Sequence, residues 1–169
     1  MSRRLVIFDV DGTLVDTVED VAECFNQALV AAGYPSSTLE GVSAQLGKPL
    51  EEIVRGILPP DIAREDAAVT AVSQAYRKAY ASSPKSRTHP YPGVSKALRQ
   101  LLDSGMQIAV NSNKPHDNLV RLMDRFFSDL PLLVSGYGNV GIKSAKPDPE
   151  GARWLMTKAK VTPAETLYV

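Results

Sequence analysis

The sequence predicts an α/β fold in which a doubly wound parallel sheet is interrupted by an inserted α-helical module. Three observations predict it. The first apolar run, over 5–9, is short, β-rich and almost continuously hydrophobic, as in a strand buried on both faces. From Val94 onward, helical and strand patterns alternate, which implies a parallel sheet covered by helices. Between these regions lies a helical stretch far longer than one crossover connection requires. The reading assigns the inserted module to residues 16–87 and a split core to 1–15 and 88–169.

Each element has a local reason. Asp16 stands three residues before Glu19, a helix-start pattern that supplies acceptors and negative charge to unpaired first-turn amides. Val18, Val21, Ala22, Phe25, Leu29 and Ala32 then recur at helical spacing, and Gly33 is a natural stop. Shorter helices are predicted over 37–46 and 49–58, and a longer one over 60–81. The segment 82–86 breaks the pattern with Ser and Pro. After 89–93, a helix is predicted over 94–102, a strand over 107–112, a helix over 116–127, a strand over 132–135, a helix over 149–159 and a strand over 166–169.

Composition narrows the function. The 169 residues carry 19 Lys plus Arg against 19 Asp plus Glu, so the net charge is zero. That argues against nucleic acid as a partner, since such binders need surplus cations to displace counterions. Hydrophobic residues at 44% and charged residues at 22% describe a folded domain rather than a disordered chain. A single cysteine, Cys24, excludes a disulfide scaffold. No stretch approaches the ~18 apolar residues of a membrane span. The basic start leads into an apolar run that Asp9 and Asp11 interrupt too early for a secretory core. The expected setting is therefore cytoplasmic, away from membranes, and the expected partner is a small molecule. A monomer and a homodimer both remain open.

Ligands of doubly wound sheets bind beyond the carboxyl ends of the strands, and three predicted strands end in residues suited to phosphate chemistry. The first runs into Asp9-Val10-Asp11-Gly12-Thr13, the second into Asn111-Ser112-Asn113-Lys114, and the third into a loop with Lys143 and Lys146. A carboxylate is ionised at neutral pH, so Asp9 can attack phosphorus without a general base. Mg2+ held by Asp9 and Asp11, with a lysine, would balance the anionic phosphate. Asp11 can protonate the leaving oxygen and later assist water. Gly12 would let backbone amides approach the phosphate, with Thr13 beside it. Ser112 can donate its hydroxyl, and Asn113 joins the phosphate-binding set. Each feature alone has a plainer reading: Asp pairs form turns, Ser112 and Asn113 cap helices, and Lys146 is a solvated loop charge. Their joint placement at strand ends favours phosphate.

Other motifs fail on context. Gly136 to Gly141 fits a dinucleotide glycine pattern but opens onto a Pro-containing loop rather than a helix. Gly47-Lys48-Pro49 has Pro where a nucleotide loop needs Ser or Thr, and Leu14 occupies the position where a calcium loop needs Gly. Cys24 reads as a packed hydrophobe, and His89 and His116 lack metal-ligand spacing.

The sequence resembles the haloacid dehalogenase superfamily of phosphohydrolases, and within it the phosphoglycolate phosphatase branch. The carriers are Phe8 to Thr17, Tyr91-Pro92-Gly93-Val94, Val110 to Pro115 and Lys146-Pro147-Asp148-Pro149, in family order. The resemblance implies a Rossmann-like core with a helical cap hinged near Asp16 and Tyr91. It implies a Mg2+-dependent phosphomonoester hydrolase acting through an aspartyl-phosphate on a phosphoglycolate-like metabolite. Asp9 would be the nucleophile and Asp11 the acid and base, its main-chain carbonyl also contacting Mg2+. Ser112 would bind phosphate and Lys146 would be the site cation, with Lys143 the runner-up. Lys48 would meet a second anionic group of the substrate, against the alternative of a solvated lysine. Asp11 separates phosphate-ester enzymes from relatives that cleave carbon–halogen or carbon–phosphorus bonds.

One family feature is not among the 169 residues. A Gly-Asp followed by another acidic residue is expected after the strand ending Leu167-Tyr168-Val169, where it would complete the metal site. The core is therefore expected to be incomplete at its C-terminus, and this chain to be a fragment with weak or no activity. A sugar phosphomutase, a receiver-like module and a non-catalytic binder of a phosphorylated ligand or partner are the alternatives.

Overall fold

The computed structural model describes residues 3–139 and 141–169. Met1 and Ser2 of the basic start and Val140 of the glycine-rich loop lie outside them. The chain separates into two compact units, one holding residues up to Val15 with His89–Val169, the other Asp16–Thr88. In chain order, β1 (Leu5–Phe8) and β2 (Val15–Asp16) precede α1 (Val18–Ala31), α2 (Leu39–Ser43), α3 (Leu50–Ile57), a 3-10 turn (Ile62–Arg64) and α4 (Asp66–Ser82). There follow β3 (His89–Pro90), α5 (Val94–Asp103), β4 (Gln107–Pro115), α6 (His116–Phe127), β5 (Leu132–Tyr137), α7 (Glu150–Ala159), a second 3-10 turn (Pro163–Glu165) and β6 (Thr166–Tyr168). Among the described residues, no helix is long and apolar enough to cross a membrane.

The core unit is built on a four-stranded sheet ordered β5-β4-β1-β6, with every pairing parallel. Side-chain alternation explains why β1 is apolar throughout. Leu5, Ile7 and Ala109 face Leu155 and Ala159 of α7 on one side. Ile108 and Val110 face Leu98 of α5 and Leu119, Leu122 and Phe127 of α6 on the other. Both faces are thus covered, and burying each such aliphatic side chain contributes about 1.5–3 kcal/mol. The chain runs from β1 to β4 and β5 on one side, then returns to β6 on the other. That reversal opens a crevice at the carboxyl end of β1. β2 and β3 pair as a separate two-stranded sheet.

The helical unit packs Phe25, Leu29, Val54 and Val72 into its own core, with Phe25 stacked on Tyr76 at 3.9 Å between ring centroids. The helix expected over 60–81 is two pieces, because Glu65 adopts an extended backbone (φ −87°, ψ 107°) that a continuous helix cannot contain. The segment expected over 37–46 forms only a five-residue helix, α2, whose N-cap Thr38 accepts from the Gly41 amide at 3.0 Å. Asp16 sits one residue before the N-cap Thr17 and accepts from the Val18 amide. Asp20, buried, accepts from the Thr88 hydroxyl at 2.6 Å and the Arg87 amide at 3.0 Å.

Candidate active site

The segment after β1 folds into a tight turn. The Val10 carbonyl accepts from the amides of Thr13, Leu14 and Val15, and the Gly12 amide donates to the Val15 carbonyl. Gly12 sits at φ +80°, a conformation glycine adopts without the penalty other residues carry. The turn therefore directs the amides of Gly12 and Thr13 inward. Both amides are hydrogen-bonded within the loop. What the turn presents is its pair of carboxylates, Asp9 and Asp11.

β4 continues three residues beyond its predicted end. Its pairing with β5 slips between Ser112 and Pro115, leaving Asn113 and Lys114 on a bulge. Such a bulge re-aims side chains, and strand alternation sends neighbours to opposite sides. The Ser112 hydroxyl oxygen accepts from the Lys114 amide at 3.1 Å. That acceptor bond leaves the hydroxyl proton free to point elsewhere. Asn113, expected to bind phosphate, holds the backbone of Lys146. Its Oδ1 accepts from the Lys146 amide at 2.6 Å and its Nδ2 donates to the Lys146 carbonyl at 3.1 Å.

Lys146 reaches the nucleophile candidate. Its ammonium lies 2.6 Å from Asp9 Oδ1 and donates to the Asn111 carbonyl at 3.2 Å. The runner-up, Lys143, is exposed, and its amide donates to the Glu150 carboxylate. Sequence reasoning assigned no role to Lys114, whose ammonium lies 3.3 Å from Asp11 Oδ1. The Lys114 and Asp11 side chains are 7% and 14% exposed, those of Lys146 and Asp9 19% and 24%. The available signal was the strand period itself, which sends Lys114 away from Asn113. Each aspartate thus has a lysine, and the four charges cancel.

The surroundings are mostly polar. A cavity of about 10 Å³, room for one water, is lined by Asn111, Ser112, Ser144 and Lys146 among others. Tyr168 on β6 accepts from Asn111 Nδ2 at 3.1 Å. Burial, with the Asp9 charge adding to it against the Asn111 bond, holds the Tyr168 phenol above its ordinary pKa and therefore neutral. Lys48 belongs to the helical unit, where its exposed ammonium donates to Gln45 Oε1 at 2.7 Å.

Asp9 and Asp11 supply hard oxygen donors. No cluster of three or more His, Cys, Asp or Glu among the described residues forms a protein-only metal cage. Mg2+ does not require one: it is usually held by one or two carboxylates, with waters and a substrate phosphate completing its shell. This donor set fits that mode.

The chain belongs to the haloacid dehalogenase-like hydrolase family, whose sequence model matches residues 6–169. It is 34% identical over 174 residues to a phosphoglycolate phosphatase of Pseudomonas putida, a match covering 98% of this chain and 61% of that protein. A phosphoglycolate phosphatase of Vibrio parahaemolyticus is 29% identical, covering 98% of this chain and 74% of its own length. The chain thus spans about three-fifths of the Pseudomonas relative. A crystal structure from Lactobacillus delbrueckii subsp. bulgaricus shares the fold at a TM-score of 0.89 and 24% identity, covering 99% of this chain and 78% of that one.

Proposed function

We propose that this site performs phosphoryl transfer in a Mg2+-dependent hydrolase of small phosphomonoesters, with Asp9 as nucleophile. The observation that carries the reading is the Lys146 ammonium, 2.6 Å from Asp9 Oδ1 at the carboxyl end of β1. A lysine there can follow the developing charge on phosphate. The Asp9 carboxylate attacks phosphorus, and the bond from phosphorus to the ester oxygen breaks. Asp11, a carboxylate in the resting site, takes up a proton from solvent and gives it to that departing oxygen. Water then attacks the aspartyl-phosphate while Asp11 takes its proton, releasing inorganic phosphate and restoring Asp9.

The two carboxylates and two lysines sum to zero, so a dianionic ester gains its matching charge when Mg2+ joins Asp9 and Asp11, which is the chemistry the cation supplies. Ser112 donates its hydroxyl to a phosphate oxygen. The names of the relatives support a phosphoglycolate-like acid as substrate.

The test is phosphate release from phosphoglycolate and from an aryl phosphate, with Mg2+ and no sugar acceptor. Release that Asp9→Asn abolishes supports the reading. Release that persists in Asp9→Asn overturns it. So does the absence of both release and Mg2+-dependent calorimetric binding of inorganic phosphate.

A further inference from the structure

We infer that Asn113 is a positioning residue that sets the reach of Lys146 toward Asp9, rather than a contact to phosphate. The inference deepens the proposed function and rests on it. Lys146 lies between β5 and α7, where the described residues form no helix or strand. Such a segment does not by itself fix a side-chain origin. Other bonds organise its flanks: Glu150 accepts from the amides of Lys143 and Ser144, and the Asp148 amide donates to the Ala145 carbonyl.

Asn113 grips Lys146 itself. Its side-chain amide takes both the N–H and the C=O of that one residue, at 2.6 and 3.1 Å, as a neighbouring strand would. Two bonds to the same residue fix the position of its Cα and the direction in which its side chain leaves. The flexible four-carbon stem then needs only its far end held, by the Asn111 carbonyl and Asp9. Lys146 is thereby held at both ends, with β4 supplying Asn113 at one and Asn111 at the other, where Asp9 after β1 joins it.

Both ends of the Asn113 amide, the oxygen as acceptor and the nitrogen as donor, are turned to the backbone of Lys146. The β4 bulge is what allows it. Two residues, Asn113 and Lys114, stand between the paired positions Ser112 and Pro115. One turns to the Lys146 loop while the other meets Asp11. Displacement of a catalytic group by about 1 Å can cost about 10²-fold in rate.

A double-mutant cycle tests this. Phosphate release is measured for the wild type, Asn113→Ala, Lys146→Met and the double variant. Asn113→Ala is expected to lower kcat/KM about 10- to 100-fold, acting through Lys146. The double variant is then expected to lose no more than Lys146→Met alone. Independent, multiplying losses, the signature of a direct phosphate contact, overturn the inference, as does an Asn113→Ala variant with unchanged kcat/KM.

A second readout needs no turnover. Lysine ammonium resonances in 1H–15N spectra identify ammonium groups shielded from exchange. The Lys146 signal, assigned by its loss in Lys146→Met, is expected to vanish in Asn113→Ala and to persist in Asn113→Asp, which keeps the 2.6 Å acceptor bond. Its persistence in Asn113→Ala overturns the inference. Absence of both phosphate release and Mg2+-dependent phosphate binding in the wild type would defeat the proposed function, while this spectrum still decides the clamp.

Discussion

Replacing Lys114 by methionine removes a charge from a pair that is nearly closed to water while keeping the volume of the stem. At 3.3 Å and an effective dielectric of about 20, the attraction between Lys114 and Asp11 is about 5 kcal/mol before desolvation is counted. Removing one member of a buried pair typically costs 3–5 kcal/mol, because the other charge loses its compensation. With Asp11 14% exposed, water recovers part of that loss, so the expected destabilisation is about 3 kcal/mol. Trp154, the chain's one tryptophan, lies on α7 of the core unit, so its fluorescence in a urea titration reports the unfolding of that unit. Asp11→Asn is expected to destabilise as well, and the Lys114→Met/Asp11→Asn protein to lose at least 1 kcal/mol less than the summed singles. A Lys114→Met loss below about 1 kcal/mol, or additive singles, would refute the pairing as an energetic feature.

Three further outcomes are expected. A Cβ on Gly151 would lie 2.5 Å from Asn111 Oδ1, so Gly151→Ala should destabilise the core unit by about 1–3 kcal/mol in the same titration; a change within about 0.5 kcal/mol contradicts the close approach. Hydrogen bonds from the Thr162 amide and hydroxyl, aided by Arg4, lower the Glu165 pKa from 4.5 to about 2. Because the folded value is the lower one, its stabilisation is complete above pH 4.5 and is lost as pH falls toward about 2. Glu165→Gln should flatten the acid-side fall of the urea midpoint in that window, and an unchanged slope would count against the assignment. Burial raises the Cys24 thiol pKa and leaves the residue 1% exposed, so a thiol reagent should react only as denaturant opens the helical unit. Prompt reaction in native buffer contradicts this.

The parts of the fold legible in the sequence were those governed by short-range pattern. β1, α6 and α7 are bounded by apolar periodicity and by Pro, and the structure places them within a residue or two of their expected ends. The end of β4 was not legible, because Asn, Lys and Pro are poor strand formers and only pairing with β5 extends the strand through Pro115. β2 and β3 have two residues each, too few to show a period. The break at Glu65 depends on one backbone conformation within a run of helix formers.

The site divides the same way. Parallel strands bring their carboxyl ends to one edge, so Asp9, Asp11, Ser112 and the loop carrying Lys146 could be assigned to that edge from sequence. Lys146 was preferred to Lys143, only three residues away, on the family resemblance alone, and its contact with Asp9 depends on the path of the loop. The clamp by Asn113 joins residues 33 positions apart and has no local signature. The bonds that the Gly12 and Thr13 amides make within the turn depend on the local backbone path and likewise have no signature in the sequence.

The central claim is that Asp9 is the atom donor that attacks phosphorus. Acid quench of the protein with Mg2+ and a phosphomonoester, followed by borohydride reduction, converts an aspartyl-phosphate to homoserine that peptide mass spectrometry can locate. The account predicts homoserine at position 9 alone, dependent on Mg2+ and absent in Asp9→Asn. Homoserine at position 11, or at no position while phosphate is being released, would contradict it.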